Sequence, residues 1–295
     1  MAIARNIIEA SFPTPLFEIQ AADPGLCVGR VLLKAEFRAP LGNLEDRWAK
    51  ELEASRVGNP ESQSTNVTFA PVAEERSLAV ALAASVFNHK YVPMLTRSPS
   101  PCYQKILGRF RKKFHDGNAV QKVDAPKVEE TASIWANYLL TALSSDELSG
   151  KEGRHWKSLV DEVFDEISPE RAHFIFPVFP FLDDPEVMLK LRNDFPDSYF
   201  SFVWWPRSRM ERPPKLEAPE RYAIQQISLK EALLASVWLA ENHGIIAAVP
   251  TGAVVHIALL FAHQPVFSDA TLVPIGCHFY DREENYNPYA KRLLT

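Results

Sequence analysis

Lys105, Arg109, Lys112 and Lys113 recur at helical spacing. On a helix they form one arc, and Tyr103, Ile106, Leu107, Phe110 and Phe114 form the face beside it. Such a helix is anchored by its apolar side and offers cations along the other. Cations so placed suit phosphate groups, and the helix start at Ser100-Pro101 adds oriented backbone amides. Arg97 and Arg111 extend the same surface. The flanking sequence strengthens the signal. From Arg76 through His115, 40 residues hold eight basic side chains and no acid, while the whole chain has 37 acids against 32 bases. An acid-free basic block favours an anionic partner: nucleic acid, another polyphosphate or an acidic protein surface. There is also an internal use for it. Asp161, Glu162, Asp165 and Glu166 close a later helix, where the helix dipole disfavours acids. The basic arc is a natural counterpart for them.

A second group of residues depends on topology. Phe174–Leu182 and Tyr199–Trp205 read as strands joined through a helix that starts at Asp184-Pro185. If the strands are parallel, their carboxyl ends share one edge of a sheet, where open α/β folds bind ligands. That edge would gather Asp183, Trp205, Arg207 and Arg209. An aromatic plane with two guanidiniums suits a nucleotide-like anion. The plainer reading makes Asp184 a helix cap and Trp204 and Trp205 core residues.

Other chemistries are excluded or weakened by spacing. His243, His256, His263 and His278 fall near Cys277, Asp281, Glu283 and Glu284, but no HxH, HxxxH or HExxH pattern joins them, so no metal site is expected. GxGxxG, GxxxxGK[ST] and GxSxG are all missing, and the chain has only 11 glycines. Phosphate-cradling loops and a nucleophile elbow are therefore not expected, nor is any cofactor. Cys102 opens the basic helix without a His or Asp placed to activate it.

The elements that must position these groups follow from periodicity. Leu26–Phe37 alternates, with Val31, Leu33, Ala35 and Phe37 on one face and Arg30, Lys34 and Glu36 on the other, which predicts one wet face. Glu74–Phe87 is a helix apolar nearly all round, so it should be buried on more than one side. Gly153–Ile167 is a helix with a stripe of Trp156, Leu159, Val160, Val163, Phe164 and Ile167. Ser228-Leu229-Lys230-Glu231 is a capping box that opens a helix ending before Gly244. Ile245–Val249 and Ala253–Phe261 read as two buried strands around a Pro-Thr-Gly turn, and a last strand covers Leu272–Tyr280.

These elements predict an α/β fold: a mixed, largely covered sheet with βαβ units in the C-terminal part and a helical, basic middle section. The expected divisions are 1–125, 126–170 and 171–295, with one continuous domain formed by the first and last as the alternative. Three scattered cysteines and the lack of a signal peptide or membrane span point to a cytoplasmic protein. The functional expectation is a non-enzymatic protein that engages nucleic acid or another polyanion through residues 97–113, within a larger assembly. The alternatives are a small-ligand sensor or enzyme using the edge at 183 and 205–209, and an assembly component that docks an acidic protein.

Overall fold

The computed structural model describes residues 4, 6–19, 29–42, 44, 46–47, 49–50, 67–71, 74–86, 90–95, 121–122, 154–168, 171–178, 191, 193–205 and 222–277. The chain divides into two compact units. One comprises Met1–Phe12 and Asn43–His155, the other Pro13–Gly42 and Trp156–Thr295.

The first unit holds α1 (Ile7–Ser11), whose first amides are capped by Asn6 Oδ1. It also holds a parallel sheet in the order β3-β4-β5, made of β3 (Val67–Pro71), β4 (Lys90–Leu95) and β5 (Gln121–Lys122). Between β3 and β4 runs α2 (Glu74–Val86), which packs on both strands. Its residues Leu78 to Ala84 are all buried, as a helix apolar on every side requires.

The second unit is built on a six-stranded sheet. Its strands are β1 (Leu16–Glu18), β2 (Arg30–Ala35), β6 (Ala172–Pro177), β7 (Tyr199–Trp204), β8 (Tyr222–Gln226) and β9 (Thr271–Gly276). The order is β1-β2-β9-β6-β7-β8, and only β1 runs antiparallel. β2, from early in the chain, thus pairs with β9 from late in it. α3 (Arg154–Phe164) contacts one face of the sheet through Phe164, whose ring lies 5.6 Å from that of Phe174. On that face Phe174 stacks on Phe200 and Phe176 on Phe202, ring against ring across β6 and β7. α4 (Leu229–His243) and α5 (Val249–Ala262) pack on each other, and α5 also contacts β2, β6, β7 and β9. A parallel sheet covered on both sides reads as continuous apolar sequence. Five of the six residues of β2 are buried, and all six of β6.

Two sequence expectations need correction. The face of β2 that carries Lys34 is not wet. Lys34 is 1% exposed and its Nζ lies 2.9 Å from Glu162 Oε2 on α3 and 2.5 Å from the Thr14 carbonyl. Glu162 therefore serves Lys34, a residue 128 positions away, and Asp161 pairs with Lys157 one turn back. The basic arc expected to meet these acids lies outside the described residues. The second correction is α5. The stretch expected to be two strands is one helix, with proline in its first turn. Proline fits there because its missing N–H would have no helical partner. Gly252 marks a helix crossing and not a turn: a Cβ there would overlap the Ala232 carbonyl and Ser236 Oγ of α4. Among the described residues no helix is long and apolar enough to cross a membrane.

Glu162→Gln should destabilise the chain by about 3–5 kcal/mol in urea denaturation, because it strands a buried ammonium. The double change Lys34→Met, Glu162→Leu should recover most of that loss. A neutral effect of Glu162→Gln alone would show that the pair does not hold α3 to the sheet.

Candidate functional site

The parallel strands send their carboxyl ends to a common edge. There β2 gives way to Glu36, β9 to Cys277, β6 to Val178, β7 to Trp205 and β8 to Ile227. α5 brings its amino terminus to the same edge, with no side chain capping it. The Thr251 hydroxyl, in the first turn of α5, donates to the Cys277 carbonyl at 2.8 Å. Glu36, fully buried, accepts a short hydrogen bond from the Thr14 hydroxyl. The Cys277 thiol is buried, and burial, aided by the negative charge of Glu36, pushes its pKa well up. It is therefore a neutral packing group and a poor nucleophile. The described polar groups at this edge are thus engaged within the protein.

The opposite edge, where the parallel strands begin, holds a cavity of about 430 Å³. It is lined by Arg171, His173, Tyr199, Val266, Phe267, Asp269 and Ala270. His173 forms its inner wall. The imidazole Nε2 lies 2.8 Å from Ser201 Oγ, and the ring contacts Tyr199, Phe261 and Phe267. Burial lowers its pKa from 6.5 to about 4, so the ring is neutral near pH 7. Sequence reasoning missed this cavity. No motif links His173 to Arg171, Tyr199 and Asp269.

The residues singled out from the sequence fare unevenly. Arg97, Lys105, Arg109, Arg111, Lys112 and Lys113 lie outside the described residues, as do Asp183, Arg207 and Arg209. The parallel pairing of β6 and β7 does place the carboxyl ends of both strands on one edge. Trp205 stands at that edge and is 4% exposed. His243 closes α4, His256 lies within α5, and His263 follows it, with Nδ1 2.6 Å from the Leu259 carbonyl. Among the described residues no three potential ligands gather into a metal site.

No protein-family model matches the chain, and no curated protein does. Solved structures do. Cystathionine beta-synthase from Bacillus anthracis superposes with a TM-score of 0.68 at 20% identity, over 94% of this chain and 99% of that one. O-acetylserine dependent cystathionine beta-synthase from Helicobacter pylori gives 0.66 at 18%, over 97% and 98%. O-ureido-L-serine synthase gives 0.65 at 17%, over the whole of both chains. The chain thus shares the α/β fold of these structures, and at these identities the likeness shows the fold alone.

The likeness overturns the expectation of a non-enzymatic protein that engages nucleic acid, or another assembly partner, through residues 97–113. The structures that share this fold from end to end are enzymes named for small amino-acid chemistry. Charge counting misled because a local excess of cations does not show what neutralises it, and the chain as a whole carries a net charge of −5.

Pyridoxal phosphate is held by a lysine that condenses with its aldehyde, and its phosphate sits on backbone N–H groups. The described residues do not fit that requirement. Lys34, the one described lysine near the carboxyl edge, is tied to Glu162 and Thr14. Lys157 pairs with Asp161, Lys230 sits exposed in the first turn of α4, and Lys50 lies over Phe12 in the other unit. The described glycines Gly252 and Gly276 are packing positions, where a Cβ would meet neighbouring atoms. The sequence that leaves β6, Pro177-Val178-Phe179-Pro180-Phe181-Leu182, has no glycine, and its prolines supply no N–H.

The lowered pKa of His173 has a sign that can be measured. Between about pH 6.5 and 4 the unfolded chain binds a proton that the folded chain refuses. The contribution is complete above the unfolded value and lost as pH falls through that window, up to about 3 kcal/mol at 1.36 kcal/mol per unit. The groups around the ring are Ser201, Tyr199, Phe261 and Phe267, with Arg171 and Asp269 across the cavity. Urea midpoints measured across this range should fall with acid, and more steeply than those of His173→Gln. Parallel curves for the two proteins would remove His173 as the cause.

Proposed function

We propose that this chain is an enzyme of small amino-acid chemistry, with its ligand on the carboxyl edge of the six-stranded sheet. The observation that carries this reading is the extent of the structural match: the B. anthracis, H. pylori and O-ureido-L-serine enzymes are each covered over 98–100% of their length by this chain. A piece of the fold could serve any purpose, but the complete fold brings with it the crevice at the strand ends. The names of those enzymes indicate a serine- or cysteine-like amino acid, or an O-acylated serine, as the substrate class. The sequence places Asp183, Trp205, Arg207 and Arg209 after the strands that reach this edge. Two guanidiniums there suit a carboxylate. The uncapped amino terminus of α5 adds the positive end of a helix dipole to the same edge. A reducing, cytoplasmic setting suits the free thiol of Cys277.

The purified full chain is mixed with L-serine, L-cysteine and O-acetyl-L-serine, singly and in pairs, each with and without added pyridoxal phosphate. Products are read by mass spectrometry and ligand contact by amide hydrogen exchange. We expect turnover of at least one of these amino acids, with protection at residues 177–178, 204–205 and 247–251. The arms with and without pyridoxal phosphate separate turnover that needs this group from turnover that does not. No product in any arm, together with no protection on this edge, would dismiss the reading.

A further inference from the structure

The cavity lined by Arg171, His173, Tyr199, Val266, Phe267, Asp269 and Ala270 lies at the amino ends of β6, β7 and β9. Ligands of open α/β folds bind at the other end of the strands, so this is not the crevice that the fold supplies by default. We propose that it is a second small-molecule site, and that it takes an aromatic L-amino acid. The proposal does not depend on the reading of the carboxyl edge.

Its walls favour an aromatic group. The Phe267 ring stacks on Phe261 at 4.7 Å and 17°, and the His173 ring lies 5.3 Å from Phe261 and 5.4 Å from Phe267. A further ring entering beside Phe267 would meet faces and edges on several sides, the arrangement aromatic groups prefer. Tyr199 is 59% exposed and Val266 80% exposed. Two large apolar side chains left in water at one opening are what a ligand would cover. The volume of about 430 Å³ lies within the range of small-molecule sites.

The charges at the opening define the other end of the ligand. An α-amino acid carries its ammonium and its carboxylate on one carbon, so a site for both must hold an anion and a cation close together. Arg171 Nη1 and Asp269 Oδ1 are 4.0 Å apart, with the two side chains 64% and 81% exposed. A pair so long and so wet contributes little to folding, and parting it costs little. Arg171 can then take the carboxylate by its guanidinium fork, while Asp269 takes the ammonium. A plain carboxylic acid or a plain amine would satisfy one of these groups and bring a like charge towards the other. His173 remains neutral and tied to Ser201, so the ligand's two charges meet their counterparts only at Arg171 and Asp269 among the described lining residues.

The test is calorimetric titration of the full chain with L-phenylalanine, alongside 3-phenylpropionate, which lacks the ammonium, phenethylamine, which lacks the carboxylate, and L-alanine, which lacks the ring. Hydrogen exchange locates whatever binds. We expect saturable binding of L-phenylalanine, with protection at 171–173, 199 and 266–270 and none at 177–178 or 247–251. Arg171→Gln and Asp269→Asn, both at exposed positions, should each weaken it about tenfold or more, the effect of losing one charge-assisted hydrogen bond. The three comparison compounds should bind about tenfold or more weakly than L-phenylalanine for the same reason. The proposal fails if L-phenylalanine does not bind, if both variants bind it unchanged, if either singly charged analogue binds equally well, or if protection appears on the carboxyl edge instead. Amino-acid turnover in the separate assay can succeed or fail without altering any of these outcomes.

Discussion

A sheet of parallel strands cannot leave a face in water, and the second unit is arranged around that constraint. Its central strands are apolar on both sides, so both sides must be covered. α5 meets one face through a helix with almost no polar residue, and α3 meets the other through a narrow apolar stripe. The one charge brought into this layer, Lys34, is tolerated because Glu162 comes with the covering helix. Replacing such a pair with apolar residues often costs nothing, whereas removing one partner costs a great deal. The pair therefore fixes how α3 is placed more than it adds to stability.

Much of this was legible in the chain. The capping box at Ser228 and Glu231 forms as its spacing requires, and Gly244 takes the left-handed conformation (φ 66°) just past the helix end. The αβ alternation after residue 170 identified the class of fold, and the pairing of β6 with β7 bears out the βαβ reading. α5 was misread because an apolar run carries no periodicity when every side is buried. Pro250 and Gly252 then suggested a turn, although one begins a helix and the other allows two helices to touch. β2 was misread for the opposite reason. Its alternation is real, but a polar residue in a strand can face an acid as well as water. Glu162 was too far along the chain for any local pattern to connect it with Lys34.

The two edges of the sheet differ in what the sequence could reveal about them. The carboxyl edge is inherited with the fold, and its position followed from strand direction. Its described polar groups, Thr14, Glu36 and Thr251, bond to one another or to backbone. The cavity on the amino edge draws on Arg171 and His173, Tyr199, and Val266 to Ala270. These three stretches become neighbours only when β6, β7 and β9 pair, so no motif could announce them. The basic segment that dominated the composition remains an unusual feature of the chain, but it is not what defines the architecture.

The second unit is assembled from Pro13–Gly42 and Trp156–Thr295, and β2 pairs with β9. During synthesis β2 emerges long before the strand that will lie beside it. Until β9 arrives, β2 has β1 on one side and an open hydrogen-bonding edge on the other, a state in which strands are prone to pair with the wrong chain. Closing a contact of such long range is slow. Most of the first unit, Asn43–His155, is encoded between the two halves. The order of elements in this fold therefore leaves one edge of β2 open in the nascent chain until β9 is made.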